Sequence, residues 1–102
     1  MNKNMFIVIL NYLKPLGEVN EKREEHLRFI SNHIVTGKFL TAGRQNPALG
    51  GVIIAHNITR EELKDILVTD PYYINKLAEH TIIEFIPGMY AEGIEEILKK
   101  LI

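Results

Sequence analysis

The feature that most constrains the fold of this chain is residues 59–80, TREELKDILVTDPYYINKLAEH, which contain two helix starts in succession. Thr59 and Glu62 match a capping box, in which a hydroxyl and a carboxylate each bind a backbone amide at the helix start. This helix should end just before Pro71, whose ring disfavours helical geometry at the preceding residue. Asp70 followed by Pro71 is also typical of a new helix start. The chain is therefore predicted to turn a corner at Asp70 and to place a carboxylate there.

The rest of the chain alternates between apolar strand patterns and amphipathic helix patterns. Strands are predicted over residues 5–13, 38–44, 51–56 and 81–86, and helices over residues 20–36, 59–69, 71–78 and about 91–101. Gly37 is the expected left-handed residue after the first helix. The order strand, helix, strand, strand, helix, strand predicts an α+β fold of the ferredoxin-like βαββαβ type, with a four-stranded antiparallel sheet and helices on one face.

The first predicted helix carries a charged residue on its apolar side. Asn20 is the expected cap of this helix, and Leu27, Ile30 and Ile34 form the middle of its apolar stripe. Arg23 lies on the axis of the same stripe, one turn before His26. Because a buried unpaired charge is costly, this arginine should either extend past the helix end into solvent or meet an anion.

Composition narrows the classes of function. The chain has 102 residues, which fits a single domain over residues 1–102. Its net charge of −1, with basic residues scattered among acidic ones, argues against nucleic-acid and membrane partners. The absence of cysteine excludes disulfides, thiolate nucleophiles and cysteine metal sites. The apolar residues 5–10 are too short for a signal peptide or a membrane span, so a cytoplasmic protein is expected.

The predicted sheet has helices on one face only, so its other face should expose apolar side chains. An apolar patch of that size is unusual on a monomer. A homodimer that packs sheet face against sheet face would cover the patch, and the amphipathic C-terminal helix could clasp the partner. The chain is therefore expected to associate with itself.

The four histidines do not form a pair with metal-ligand spacing. His26 and His33 are seven residues apart, and His56 and His80 lie on different strands. A metal site is therefore not predicted. We interpret His33, His56 and His80 as edge residues with satisfied nitrogens. Tyr72, at the start of the second corner helix, either lines a pocket or simply packs the corner.

His26 and Asp70 are the strongest candidates for acid–base chemistry. A histidine beside an ionised aspartate is held in one tautomer and can carry a proton near neutral pH. The spacing of these residues does not show that they meet. A capping aspartate and a histidine on the flank of a helix each also have an ordinary structural explanation.

Several short motifs, taken in order, resemble those of the YciI-like (YCII-related) proteins. They are Arg23 and His26 as RxxH at the head of the first helix, Gly37 before the strand that ends in Ala42 and Gly43, the pair Gly50 and Gly51, and Asp70, Pro71 and Tyr72 as an Asp-Pro-aromatic signature. The resemblance covers the chain from the first strand to Ile86. Arg44 departs from the pattern, since proline usually follows the glycine at this point, and the last helix is longer than the family's usual tail.

The resemblance implies a dimeric α+β barrel, related to muconolactone isomerase, with an active-site pair that maps onto His26 and Asp70. One characterised relative removes chloride from a chlorinated hydroxyhydroquinone, which implies acid–base chemistry on small aromatic rings. Most members have no known reaction, so the substrate of this chain does not follow from the resemblance.

The sequence therefore favours a small-molecule enzyme, or an enzyme-like pocket protein, of lyase or isomerase type without a cofactor. His26 would be the general acid or base and Asp70 would orient it. Arg23 or Arg44 would hold an anionic group of a small anionic or aromatic ligand, beside Tyr72. The alternative is a non-catalytic dimeric module, ligand-binding or structural, in which Asp70 is only a helix cap. A cofactor-free oxygenase would need a deeper aromatic pocket than eight dispersed aromatic residues indicate.

Overall fold

The structure, a computed structural model, describes residues 4–94 and residue 96. An antiparallel sheet with the strand order β2-β3-β1-β4 forms its centre. The strands are β1 (Met5–Tyr12), β2 (Phe39–Arg44), β3 (Gly50–His56) and β4 (Ala78–Phe85), and the helices are α1 (Leu16–Glu21), α2 (Arg23–Val35), α3 (Arg60–Leu67) and α4 (Pro71–Ile74). The order of elements and the strand order are those of the ferredoxin-like fold, which confirms the predicted architecture.

The two faces of the sheet differ in burial. In β1, Phe6, Val8 and Leu10 are buried, whereas Ile7 and Ile9 between them are only partly buried. The buried set packs with the inward residues of β3 and of all four helices in one core. Because side chains alternate between the faces of a strand, this core lies wholly on the helix side of the sheet. The opposite face stays partly open in the single chain.

The first helical region begins earlier than predicted and is divided in two. α1 begins at Leu16, just after Pro15, and Lys22 separates it from α2. The prediction that Asn20 caps the helix is wrong, because this residue lies inside α1. Val19 is completely buried, so packing of this turn against the core outweighs the capping preference of the asparagine.

The buried side of α2 also differs from the predicted stripe. Leu27 and Ile34 are 46% and 43% exposed, while Phe29 and Ile30 are buried. The Phe29 ring meets the Phe39 ring edge-on, with 5.9 Å between centroids. A phenyl ring buries more apolar area than one aliphatic side chain, so the helix turns Phe29 toward the core.

The predicted corner at Asp70 is present. Thr59 and Glu62 form both hydrogen bonds of the capping box, and Asp70 is the N-cap of α4. α4 is shorter than predicted and β4 begins earlier, at Ala78, because Lys76 has a positive φ of 56° that ends the helix. Gly37 has a φ of 81°, as expected of the left-handed residue after α2.

The predicted C-terminal helix, residues 91–101, falls largely on residues that the structure does not describe. Among those that it does describe, no helix is both long and apolar enough to cross a membrane.

Candidate acid–base site

The carboxylate at the corner between α3 and α4 is completely buried and receives three hydrogen bonds. Oδ1 of Asp70 accepts from the backbone amide of Tyr72 at 3.0 Å and from Nδ1 of His26 at 2.7 Å. Oδ2 accepts from Nε2 of His80 at 3.1 Å. Burial would raise the pKa of Asp70, but the hydrogen bonds from the two imidazoles and the amide hold that pKa below its usual value. Asp70 is therefore ionised at neutral pH.

The charge of Asp70 determines which ring nitrogens carry protons. An ionised carboxylate can only accept hydrogen bonds. Nδ1 of His26 and Nε2 of His80 must therefore be the protonated nitrogens in these contacts. In the neutral ring of His26 this leaves a lone pair on Nε2, which is the form of imidazole that accepts a proton from a ligand.

The ring of His26 is fixed from a second side. It stacks on the ring of Tyr72, with 3.9 Å between the centroids and 4° between the planes. Tyr72 in turn meets the ring of Tyr12 edge-on at 6.0 Å. A stacked ring held by a hydrogen bond to a buried carboxylate has little rotational freedom, so the direction of its second nitrogen is well defined.

A cavity of about 60 Å³ opens beside this ring. One water needs roughly 10–15 Å³ on this measure, so the space admits a small molecule. The ionisable and aromatic residues that line the cavity are Tyr12, Arg23, His26, Arg44 and Tyr72. Its other lining residues are apolar or small: Leu10, Ala42, Gly43, Gly51, Val52 and Ile53. Asp70 does not line the cavity and stands behind the imidazole of His26.

Two guanidinium groups give the cavity a positive charge. Arg44 donates from Nε to the hydroxyl of Tyr12 at 3.0 Å and from Nη2 to Oδ1 of Asn20 at 2.6 Å, so it is fixed by neutral groups. Arg23 is exposed and makes no hydrogen bond or ion pair with residues 4–94 or 96. Within that part of the chain no acidic side chain lines the cavity, so an anion would be favoured there.

The phenol of Tyr72 adds a hydrogen-bond donor. Burial raises the pKa of Tyr72, and the positive charges of Arg44 and Arg23 oppose this rise only in part. The hydroxyl therefore stays protonated at neutral pH and can donate to an oxygen of a ligand.

The structure brings the sequence-predicted residues together. His26, Arg23, Arg44 and Tyr72 line one cavity, and Asp70 contacts His26 from behind. The two interpretations of Tyr72 both apply, because its ring is buried while the residue also lines the cavity. The roles proposed for these five residues stay predictions.

Two residues of the site were missed at the level of sequence. Tyr12 continues the inward alternation of β1, and its hydroxyl holds Arg44. His80 pairs with Leu10 across the sheet and so faces the helices, where it reaches Asp70. The alternation of β4 carried this signal, since His80 is two residues from the inward-facing Ala78 and Ile82.

The interpretation of the other histidines needs correction for His56. His80 lies on the edge strand β4, as expected, and its Nε2 is satisfied by Asp70 on the helix side of the sheet. His56 is 3% exposed and its Nε2 has no hydrogen-bond partner in the part of the chain that the structure describes, so the prediction of satisfied nitrogens is wrong for this residue. Burial accordingly lowers the pKa of His56. Over residues 4–94 and 96, no cluster of three or more histidine, aspartate or glutamate side chains is arranged to hold a metal ion.

Comparison with known proteins assigns the family. Residues 5–86 match the YCII-related domain. The chain belongs to the YCII-related family. All the residues that form the cavity and the Asp70 corner lie within the YCII-related domain, whereas the segment after Ile86 lies beyond the match.

A solved structure of similar fold is 5-chloro-2-hydroxyhydroquinone dehydrochlorinase (TftG) from Burkholderia phenoliruptrix AC1100, in complex with 2,5-dihydroxybenzoquinone. The two chains are 14% identical, and the match covers 89% of this YCII-related chain and 97% of the dehydrochlorinase, with a TM-score of 0.62. At this identity the likeness shows the fold. No curated protein sequence matches the chain.

Proposed function

We propose that this YCII-related protein is an enzyme, or an enzyme-like pocket protein, that moves a proton on a small anionic molecule, in a reaction of lyase or isomerase type. One observation carries the proposal: the imidazole of His26 borders a cavity while its Nδ1 is hydrogen-bonded to a buried, ionised Asp70. This arrangement supports a general base at the wall of a ligand cavity.

The proton transfer would use the two nitrogens of His26 differently. Nε2 takes a proton from an acidic carbon of the ligand, and the electron pair of that bond stays on the ligand as an enolate or a related anion. The imidazolium is stabilised by the carboxylate of Asp70 at 2.7 Å from Nδ1. Return of the proton to another carbon completes an isomerisation, and departure of a group from the neighbouring carbon completes an elimination.

The two arginines would hold the ligand and the charge that develops on it. Arg44 is positioned by Tyr12 and Asn20, which leaves its guanidinium pre-oriented at the cavity. Arg23 makes no hydrogen bond or ion pair with residues 4–94 and 96, so an anionic ligand could form one with it. Groups that are already oriented toward developing charge contribute to catalysis because they need not reorganise during the reaction.

The structural neighbour supports this class of chemistry. It is a dehydrochlorinase in complex with 2,5-dihydroxybenzoquinone, a small ring with acidic oxygens. A ligand of that kind offers both an anionic oxygen for an arginine and a conjugated ring for Tyr72. A small anionic ring is therefore the class of ligand that we propose for this cavity.

Deuterium exchange tests the proposal. Acetoacetate is a small anion with an acidic carbon, and acetone is a neutral comparator. We expect the protein to accelerate exchange of the acidic hydrogens of acetoacetate in D₂O, and His26→Gln to lower that acceleration by about 10²–10⁴-fold, the usual contribution of a positioned proton carrier.

Arg23→Gln should weaken binding of 2,5-dihydroxybenzoquinone, which absorption spectroscopy can follow, and should leave binding of neutral hydroquinone unchanged.

His33→Gln is the matched control, because His33 packs between Phe29 and Phe39 outside the cavity. It should keep the exchange rate of the parent protein. Equal exchange rates for the parent protein and His26→Gln would refute the role of His26. Binding of the probes with no exchange above the uncatalysed rate would instead favour a non-catalytic ligand-binding module.

A further inference from the structure

Asp70 serves two imidazoles, and the second has no part in the proton transfer described above. The side chain of His80 is 6% exposed, and its Nε2 lies 3.1 Å from Oδ2 of Asp70. Its ring stacks on the ring of Tyr73 with 5.8 Å between the centroids, and neither residue lines the cavity. His80 thus reaches the carboxylate from β4, whereas His26 reaches it from α2.

We propose that His80 is a positioning residue: by donating to Oδ2, it keeps Asp70 ionised and oriented so that Oδ1 fixes the tautomer of His26. The proposal rests on the function suggested for His26 and adds a residue that acts on it only through Asp70. His80 does not line the cavity, so this role involves no contact between His80 and a ligand.

The hydrogen bonds of Asp70 divide between its two oxygens. Oδ1 has two donors, the amide of Tyr72 and Nδ1 of His26, whereas Oδ2 has only Nε2 of His80 among residues 4–94 and 96. The residue is completely buried, so water cannot readily replace a lost donor. Without His80 a charged oxygen would remain buried and unpaired, which strongly favours protonation of the carboxyl group.

The proton would go to Oδ1, because an O–H on Oδ2 would have no acceptor among residues 4–94 and 96, whereas Nδ1 of His26 lies 2.7 Å from Oδ1. Protonation of Oδ1 would reverse the direction of its bond to His26. A protonated carboxyl group can donate, and Nδ1 of His26 would then accept from it. The proton of the neutral ring would move to Nε2, the nitrogen that serves as the base at the cavity. Loss of His80 would therefore remove the basic form of His26 without touching that residue.

Nitrogen NMR of the imidazole rings reads this tautomer directly. With ¹⁵N-histidine-labelled protein at pH 7.5, we expect the His26 signals of the parent to show the neutral ring protonated on Nδ1. His80→Leu, which has no donor, should lose this pattern and show protonation on Nε2. His80→Gln should restore it, because the glutamine amide nitrogen takes nearly the position of Nε2 and can donate to Oδ2.

A wholly structural role for His80 would lower stability and leave the tautomer of His26 unchanged. His33→Leu removes another partly buried histidine that has no contact with Asp70, and it should keep the parent pattern. If His80→Leu does not fold, His80→Asn replaces it, because the shorter amide cannot reach Oδ2 and the same tautomer change is expected.

The failures are distinguishable. Parent signals without protonation on Nδ1 would overturn the base proposed for the function itself. A parent pattern that persists in His80→Leu, or in His80→Asn, would overturn only the role of His80.

Discussion

At the scale of single residues, Asp70 links the stability of the fold to the chemistry of the site. Its folded-state pKa is lowered, since the hydrogen bonds from His26 and His80 outweigh the effect of burial. A carboxyl group of this kind stabilises the folded state above its unfolded-state pKa of about 3.9. That contribution is lost as the pH falls through the lower folded-state pKa.

Asp70→Asn should therefore destabilise the protein in a pH-dependent way. At pH 7 we expect a loss of about 1–3 kcal/mol in the free energy of unfolding, the usual range for a hydrogen-bonded charged group. The difference between the variant and the parent should narrow below about pH 4, where the carboxyl group of the unfolded parent is protonated. Urea denaturation from pH 3 to pH 7 measures both values.

Asp65→Asn, at an exposed position of α3, is the matched control and should stay within about 0.5 kcal/mol of the parent at each pH. A difference between Asp70→Asn and the parent that is constant from pH 3 to pH 7 would contradict the lowered pKa.

At the scale of elements, β3 begins where the chain passes very close to β1. Gly50 pairs with Asn11, and a Cβ atom added at Gly50 would overlap the carbonyl oxygen of Leu10. The overlapping atom belongs to the backbone of a central strand, which cannot move without disturbing the sheet. The start of β3 therefore requires glycine for reasons of space.

Gly50→Ala should cost about 2–4 kcal/mol, because the clash must be relieved by moving one strand. Gly17→Ala is a control with the opposite sign: a Cβ atom there meets nothing within 4 Å, and alanine favours the helix α1 by about 0.5–1 kcal/mol. The midpoints of thermal unfolding of the parent, Gly50→Ala and Gly17→Ala, measured under the same conditions, test both expectations. Equal midpoints for Gly50→Ala and the parent would show that β3 can shift away from β1.

The elements also show which sequence signals were sufficient. The start of α3 and the corner at Asp70 were predicted correctly, because the capping box and the Asp-Pro pair act through neighbouring residues alone. The start of α1 and the buried side of α2 were predicted wrongly, because burial of Val19 and Phe29 depends on the sheet beneath them. Signals that act between neighbouring residues were therefore sufficient, whereas helix starts and faces that depend on burial were not.

At the scale of the whole molecule, the face of the sheet opposite the helices exposes apolar side chains. Ile83 and Phe85 in β4 are 45% and 39% exposed on this face. The chain then continues with the exposed side chains of Ile86 and Met89. Apolar side chains exposed together commonly mark an interface. Association of two chains through their sheet faces, inferred from the sequence, stays a prediction.

Ile83→Lys should lower self-association if the sheet faces meet, because burying an unpaired ammonium group is unfavourable. Analytical ultracentrifugation over a range of concentrations should show a shift from dimer toward monomer. Val35→Lys, at a position 83% exposed at the end of α2, should leave association unchanged. A parent protein that is monomeric throughout the concentration range would refute the sheet-face dimer.

The sequence by itself determined the order of the elements, the ferredoxin-like architecture and the carboxylate at the Asp70 corner. These features depend on periodicity, capping and proline, which act over a few residues. It also supplied His26, Arg23, Arg44 and Tyr72 as candidates, partly through their resemblance to a known family.

Only the tertiary structure decided which of these residues meet. The contact between His26 and Asp70 joins residues 44 positions apart, and it depends on how α2 lies against the α3–α4 corner. The contact between His80 and Asp70 also depends on tertiary structure, because the register of β4 against β1 places the His80 ring beside the same carboxylate. Local sequence patterns do not determine contacts between residues so far apart in the chain, because the packing of the whole core sets them.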